Sequence, residues 1–513
     1  MIDCSPEGHQ PDAPTRIFQG VQHPVCIVLA VRSPGNDPAK PAKVRFRSLA
    51  KGPRGDKFGE LAGVGLGSAG WADCPTDPRA PFLPNFTGGW GDFVPLDQVI
   101  DDSGSGVMPG RTWIIAPDAQ SLKERWAKLV GEKDTDKRAN LFHPHEGGDR
   151  TVEKATKSMT GVHDAFASVE YGLEHRNSSD AQIKTTALTA LRLQKPISYG
   201  FRSFDRQWII PDNRVINRPN PQLWERHGEQ QVYLTALTRS APKNGPALTA
   251  ISSIPDLDHY RGSFGGRVFA LWRDAAATET NVTDAAIAAL TLRYGAAPDP
   301  VDVFAYVAAL LASPAYTKKF KSDLIRPGLR VPLTADAKLF AKAAKLGREL
   351  LWLHTFGERF ADGRPAGQPK LPDGKRPMIP AGGSIPADAA NFPDTIDYDP
   401  AKRRLKIGNG YIDQVDPRVW AYEVSGKQVL RQWFSYRKKN RERPQIGDRR
   451  KPSPLGDIQP DHWLPEYTTE LLNVLNVLGM LVKLEPKQAK LLDEICEGPL
   501  IPAGEFAPAG GVV

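Results

Sequence analysis

The segment FHPHEGGD, Phe142 to Asp149, sets His143, His145, Glu146 and Asp149 close together. Imidazole and carboxylate could ligate a hard or borderline cation, but two histidines flanking a proline match no zinc spacing. The expectation there is a solvated loop. GVGLGSAG, Gly63 to Gly70, superficially satisfies a dinucleotide fingerprint. That chemistry needs a strand before the glycines and a helix after them, so that the helix N-terminus meets a pyrophosphate. Polar GDKFGE precedes and WADCP follows, which argues against it. GSGVMPGRT, ending at Thr112, misses a phosphate loop by one glycine position and places Arg111 where lysine is required. There is no Gly-x-Ser-x-Gly elbow and no supported Cys–His dyad. Acids near lysines, such as PDGK at Pro372, are too common by chance to mark a nuclease.

Charge is the more informative feature. The formal net charge of the 513-residue chain is +8. Between Arg431 and Lys451 nine Arg or Lys face only Glu442 and Asp448, so this short stretch carries nearly all of the excess. It follows WAYEVSGKQVLRQWFSY, which contains Trp420, Tyr422, Trp433 and Tyr436. A second basic set, Arg202, Arg206, Arg214, Arg218 and Arg226, is interleaved with Tyr199, Phe201, Trp208 and Trp224. The plain reading of a charge run is a solvated loop. Basic residues among aromatics at two places favour nucleic acid as the partner. The four cysteines are scattered and suit reduced thiols. No apolar run reaches the length of a membrane span, and no basic-then-apolar leader opens the chain. A cytoplasmic protein without membrane contact is expected.

The elements that must position these groups are mixed, giving an expected α/β (mixed α+β) fold, and the length calls for two to four domains. Val25 to Val31 reads as a fully buried strand and Pro41 to Leu49 as its neighbour. Ser121 to Val130 reads as a helix capped by Ser121. Aromatic, Arg-rich strands follow from Ile197. Three helices then show apolar spacing near 3.6, two of them with caps at Thr283 and Thr334. Asp362 to Pro393 is irregular, strands return over Ile396–Phe434, and two helices close the chain.

The motifs also carry a resemblance. FRSFDRQW, Phe201 to Trp208, is similar to a Tyr-Arg-Pro-Phe-Asp-x-Arg-Trp signature: Arg202, Phe204, Asp205 and Trp208 agree, whereas Phe201, Ser203 and Gln207 depart. IPDLDHYRGSFGGRVFALWRD, DVFAYVAALLASPAY, VWAYEVSGKQVLRQWFSYRKK and LEPKQAKLLDEICEGPL resemble, in order, the C-terminal specificity region of Type ISP restriction–modification enzymes. IFQGVQHPVCIVLAVR resembles the closing strands of that family's methyltransferase sheet. Family members join nuclease, helicase-like translocase, adenine-N6 methyltransferase and target-recognition domains in one polypeptide. This sequence shows no Walker A lysine loop, DEAD-type box or Asn-Pro-Pro-Tyr motif; NPQLW at Asn220 lacks the second proline.

The resemblance implies residues 1–50 as closing strands of a truncated methyltransferase-like sheet and 51–195 as a connecting region. It further implies a DNA-specificity domain over 196–460, with a helical insertion at 281–361, and a helical segment over 461–513. Arg437, Lys438, Lys439, Arg441 and Arg443 would clamp phosphates, and Arg202, Arg206, Arg214 and Arg218 would lie nearer the bases. Packing against Asp205 is an equal alternative for Arg202 and Arg206. No catalytic, metal or cofactor residue is assigned; S-adenosylmethionine is expected on a methyltransferase- and helicase-bearing partner chain. The partner ligand is double-stranded DNA. The alternatives are a split adenine-specific methyltransferase that needs its complementing half, or a non-catalytic remnant or adaptor.

Overall fold

Edge position, rather than burial, defines the first apolar segment. In the computed structural model, β1 (Ile2–Asp3) lies between β2 (Cys26–Ile27), antiparallel, and β3 (Arg45–Ser48), parallel. The helix α1 spans Arg54–Ala62, and β4 (Ala72–Asp73) pairs with β3, giving the order β2-β1-β3-β4. Ile2, Cys4, Ile17 and Leu49 form a small core. The expected buried strand over Val25–Val31 is corrected here. Only Cys26 and Ile27 pair with β1, and Leu29 and Val31 are 74% and 88% exposed. Among the described residues β2 is the edge strand, with a sheet neighbour on one side only.

The chain divides into two compact units, Met1–Asp92 and Phe93–Val513. The structure describes residues 1–7, 15–21, 23–32, 34–37, 40–75, 82–84, 89–101, 103–142, 193–212, 215–218, 220–237, 241–262, 265–325, 328–440 and 453–506.

The second unit is a mixed α+β assembly of small sheets and helices. It opens with β5 (Val94–Pro95), α2 (Leu96–Val99), β6 (Ser103–Gly104) and β7 (Ile115–Ala116). The helix α3 (Ala119–Gly131) is capped by Asp118, which accepts from the Ser121 amide, so the cap lies three residues before the expected Ser121. After α4 (Thr135–Phe142) come the hairpin strands β8 (Ile197–Arg202) and β9 (Asp205–Ile209), with β7 pairing along β9. The short helix α5 (Pro221–Glu225) leads to β10 (Tyr233–Ala236), β11 (Leu248–Ile251) and β12 (Arg267–Ala270), which form a sheet ordered β11-β10-β12-β6. Strands β10 and β11 are buried along their whole length. Tyr199, Phe201, Ile209, Trp224, Tyr233 and Ile251 share one core, with Trp113 and Trp126.

Helices α6 (Asp284–Tyr294), α7 (Pro300–Leu311) and α8 (Pro314–Lys319) are capped by Thr283, Asp299 and Ser313. Every residue of α7 from Val303 to Leu311 is buried. Next, β13 (Arg330–Val331) pairs with β5, and α9 (Ala337–His354) is capped by Asp336 rather than Thr334. The Asp336 carboxylate accepts from both the Lys338 and Leu339 amides. Gly347 brings α9 against α7: a Cβ there would lie 1.8 Å from the Ala305 carbonyl oxygen.

Strands β14 (Ile396–Asp399), β15 (Arg404–Ile407) and β16 (Gly410–Ile412) form a meander. The strand pair expected beyond it is another correction. Residues 417–435 fold as α10 (Pro417–Trp420), a two-residue-strand hairpin β17 (Glu423–Val424) and β18 (Lys427–Gln428), and α11 (Val429–Ser435). Ser425 and Gly426 both have positive φ, which fits a tight hairpin turn. Val429, Leu430, Trp433 and Phe434 are buried at helical spacing. The two expected closing helices are one: α12 runs Pro465–Glu497, through Pro486.

Candidate nucleic-acid interface

The hairpin β8–β9 carries the FRSFDRQW signature, and its turn is strained. Phe204 has φ 61°, a region that costs a non-glycine residue roughly 1–3 kcal/mol. Its ring is wedged between His354 and Tyr422, at 5.0 and 5.7 Å between centroids. Packing from α9 and the region after α10 holds the turn in place.

Three arginines around this turn are internally neutralised. Arg202 Nη1 lies 2.8 Å from Asp256 Oδ1, and the Tyr199 hydroxyl donates to Asp256 Oδ2 at 2.7 Å. Arg437 Nη2 donates to Asp205 Oδ1 at 2.7 Å, and Gln207 donates to the other oxygen at 3.0 Å. Both side chains of the Arg437–Asp205 pair are at most 2% exposed. Arg206 grips Glu470 with Nε and Nη2 at 2.8 and 2.7 Å and reaches Glu358 with Nη1 at 2.9 Å. Burial opposes charge on Arg202, but Asp256 together with Tyr436 and Asp258 raises the guanidinium pKa. Burial likewise opposes ionisation of Glu470, and Arg206 still holds its carboxyl below the ordinary range. Each guanidinium also lies over a ring: Arg202 on Phe201, Arg206 on Phe356 and Arg437 on Trp433, all at 3.9 Å.

The two basic sets therefore meet, but not as an exposed cationic surface. The structure brings Arg202, Arg206 and Arg437 together at the hairpin turn and commits them to carboxylates. Withdrawing Arg202 or Arg437 to contact phosphate would leave a buried acid unpaired, at a cost of several kcal/mol each. Of the two roles open for Arg202 and Arg206, packing beside carboxylates is the one this geometry displays, and Arg437 shares it. Arg218 and Lys439 are exposed, and Lys438 is half-buried. Arg214, Arg441 and Arg443 lie outside the described residues, as do His143, His145, Glu146 and Asp149. Sequence reasoning does not single out Asp256, Glu358 and Glu470 as the partners. Asp256 stands within IPDLDHYRG, but its pairing with a residue 54 positions away has no local signature.

Beside the hairpin a cleft of about 820 Å³ is lined by Arg206, Trp208, Glu358, Glu466 and Glu470, among others. Carboxylates outnumber cations along it, which does not suit a phosphate backbone. Among the described residues no cluster of three His, Cys, Asp or Glu could hold a metal ion. No helix among them is long and apolar enough to cross a membrane.

The sequence motifs of this mixed α+β domain thus converge on charge pairs inside the fold. The chain belongs to the family of Type ISP C-terminal specificity domains, whose model matches residues 98–474. Its fold is similar to that in the cryo-EM structure of a DrdV–DNA complex (16% identity, TM-score 0.51), covering 88% of this chain and 43% of that one. It is also similar to a nuclease-deletion mutant of the Type ISP restriction–modification enzyme LlaGI in complex with a DNA substrate mimic (14%, 0.50), covering 88% and 33%. The ATP-dependent Type ISP restriction–modification enzyme LlaBIII bound to DNA is similar at 12% identity and TM-score 0.52, covering 88% and 27%. This chain thus spans less than half the length of each. No curated protein shows significant similarity to it.

Proposed function

We propose that the chain recognises a DNA sequence as the specificity module of a Type ISP restriction–modification system. The observation that carries this reading is the family match across residues 98–474, supported by the same fold in enzymes solved with DNA. In this reading the module binds double-stranded DNA in the cytoplasm. It guides adenine-N6 methylation, and any cleavage, by a methyltransferase- and helicase-bearing chain that holds S-adenosylmethionine. Phosphate contacts would set its register on the duplex and base-edge contacts would specify the site. Lys438, Lys439, Arg441 and Arg443 would contact the backbone, and Arg214 and Arg218 would lie nearer the bases. The exposed Val28, Leu29 and Val31 beside edge strand β2 support completion of the first sheet by methyltransferase segments outside this chain.

The test is selection of bound duplexes from a randomised library by the purified chain. One short motif should be enriched, and adenine methylation of the enriched duplex should require added methyltransferase chain. Retention of DNA without enrichment of any motif, across a range of salt concentrations, would contradict the reading.

A further inference from the structure

Cations that the fold leaves largely uncompensated gather elsewhere. Lys375 sits in the turn after Leu371, a loop pinned to α12 by the Leu371 amide on Asn476 Oδ1 at 2.8 Å. Arg403 lies in the β14–β15 turn at φ 50°. Arg418 extends from α10, and Lys483 stands on α12. Arg418 is itself engaged, with Asp416 and with the Val482 carbonyl at 3.3 Å, and so sets α10 beside Lys483. The Val415 amide donates to the Arg403 carbonyl at 2.9 Å, which places the Arg403 turn next to α10. Lys375 and Arg403 act electrostatically on Lys483, opposed by Asp416. The nearby acids are partly committed: Asp416 is held by Arg418 at 3.0 Å and Asp373 by Arg376 at 3.0 Å, while the partly buried Glu485 acts on Arg418 and Asp399 on Tyr398. Among the described residues, Lys375, Arg403 and Lys483 make no side-chain hydrogen bond or ion pair.

An aromatic ladder adjoins these charges. Tyr398 stacks on Trp420 at 5.7 Å and 18°, and its hydroxyl donates to the Val415 carbonyl at 2.7 Å. The exposed Arg431 guanidinium lies 4.7 Å from the Trp420 ring centroid. A guanidinium held against an indole loses little freedom when it engages a planar anion. Positive charges at fixed spacing beside stacked aromatics fit a phosphodiester backbone better than an acidic protein surface.

We propose that the surface formed by Lys375, Arg403, Lys483 and the Trp420-stacked Arg431 contacts the phosphate backbone of bound DNA. The proposal rests on the DNA-recognition reading and assigns a surface to it. Engaging phosphates releases counterions, so each neutralised phosphate adds roughly 0.9 to the slope of log affinity against log salt concentration. The experiment measures duplex affinity of the full chain across a salt series. The variants are K375Q/R403Q/K483Q, the charge-retaining K375R/R403K/K483R, and K321Q/K338Q/K345Q, which removes three exposed lysines outside the cluster. The first should flatten the slope by roughly 0.9 for each phosphate it no longer neutralises and weaken binding alike on all sequences; the other two should match the parent. A parent that binds DNA and a K375Q/R403Q/K483Q variant with unchanged slope would overturn the surface alone. A parent that binds no duplex at low salt would overturn the DNA reading as well.

Discussion

At the residue scale, the decisive finding is that the strongest-looking cations are already spent. Arg437 belongs to the basic run, yet its guanidinium lies under 2% exposed against Asp205, 232 residues away. No local pattern could reveal this, because the partner is chosen by tertiary packing. What the sequence does show is that Arg202, Asp205 and Trp208 belong to a recognisable motif, and packing beside Asp205 is one of the two roles it leaves open for Arg202 and Arg206. Arg437→Ala should destabilise the protein by about 3–5 kcal/mol, since it leaves a buried acid unpaired. In a double-mutant cycle, adding Asp205→Leu should cost much less than the sum of the singles. Urea unfolding checks this; additive losses would mean that the pair is not coupled. A second residue-scale prediction concerns protons. Burial, first of all, pushes His259 and His354 down to about 3 and His227 to about 4. These groups stay neutral in the fold but protonate near 6.5 when unfolded. Stability should therefore be full above pH 6.5 and fall as pH drops towards 3–4. The slope from each histidine approaches about 1.4 kcal/mol per pH unit. Unfolding free energies at pH 7 and 5.5 that coincide would contradict it.

At the element scale, α12 shows why the sequence suggests two closing helices where one forms. Leu484-Glu485-Pro486 looks like the start of a new helix, because proline has no amide to continue the old one. The carbonyl that loses its donor is that of Val482, and Arg418 Nη1 from α10 donates to it at 3.3 Å. A long-range side chain repairs the break, so the helix continues. Arg418→Ala should then cost on the order of 1 kcal/mol in a partly buried setting. Combined with Pro486→Ala, which restores a backbone donor, the same change should cost less. Equal costs in both backgrounds, measured by thermal unfolding, would sink this account. Residues 420–434 mislead for a different reason. Val, Trp, Tyr and Phe favour strands on composition, but Val429, Leu430, Trp433 and Phe434 repeat at helical spacing, and Asp416 followed by Pro417 is a helix start. The cap at Thr283 is legible because its chemistry is local. Near Ser121 and Thr334 an aspartate within three residues competes for the same role, and Asp118 and Asp336 take it.

At the scale of the whole molecule, charge neutralisation in the interior and charge accumulation at the surface are separate designs. The signature motifs build the first and lock the β8–β9 hairpin to α9, α11 and α12. The second has no local signature in the sequence; the convergence of Lys375, Arg403 and Lys483 needs the fold. The central claim is that this scaffold distinguishes DNA sequences. Its most direct measurement is the affinity of the purified chain, at physiological salt, for the duplex it enriches and for the same duplex with single base pairs changed. Changes inside the site should cost about 1–3 kcal/mol each, while changes outside it should cost nothing. Equal affinity for the enriched, altered and scrambled duplexes would contradict the account.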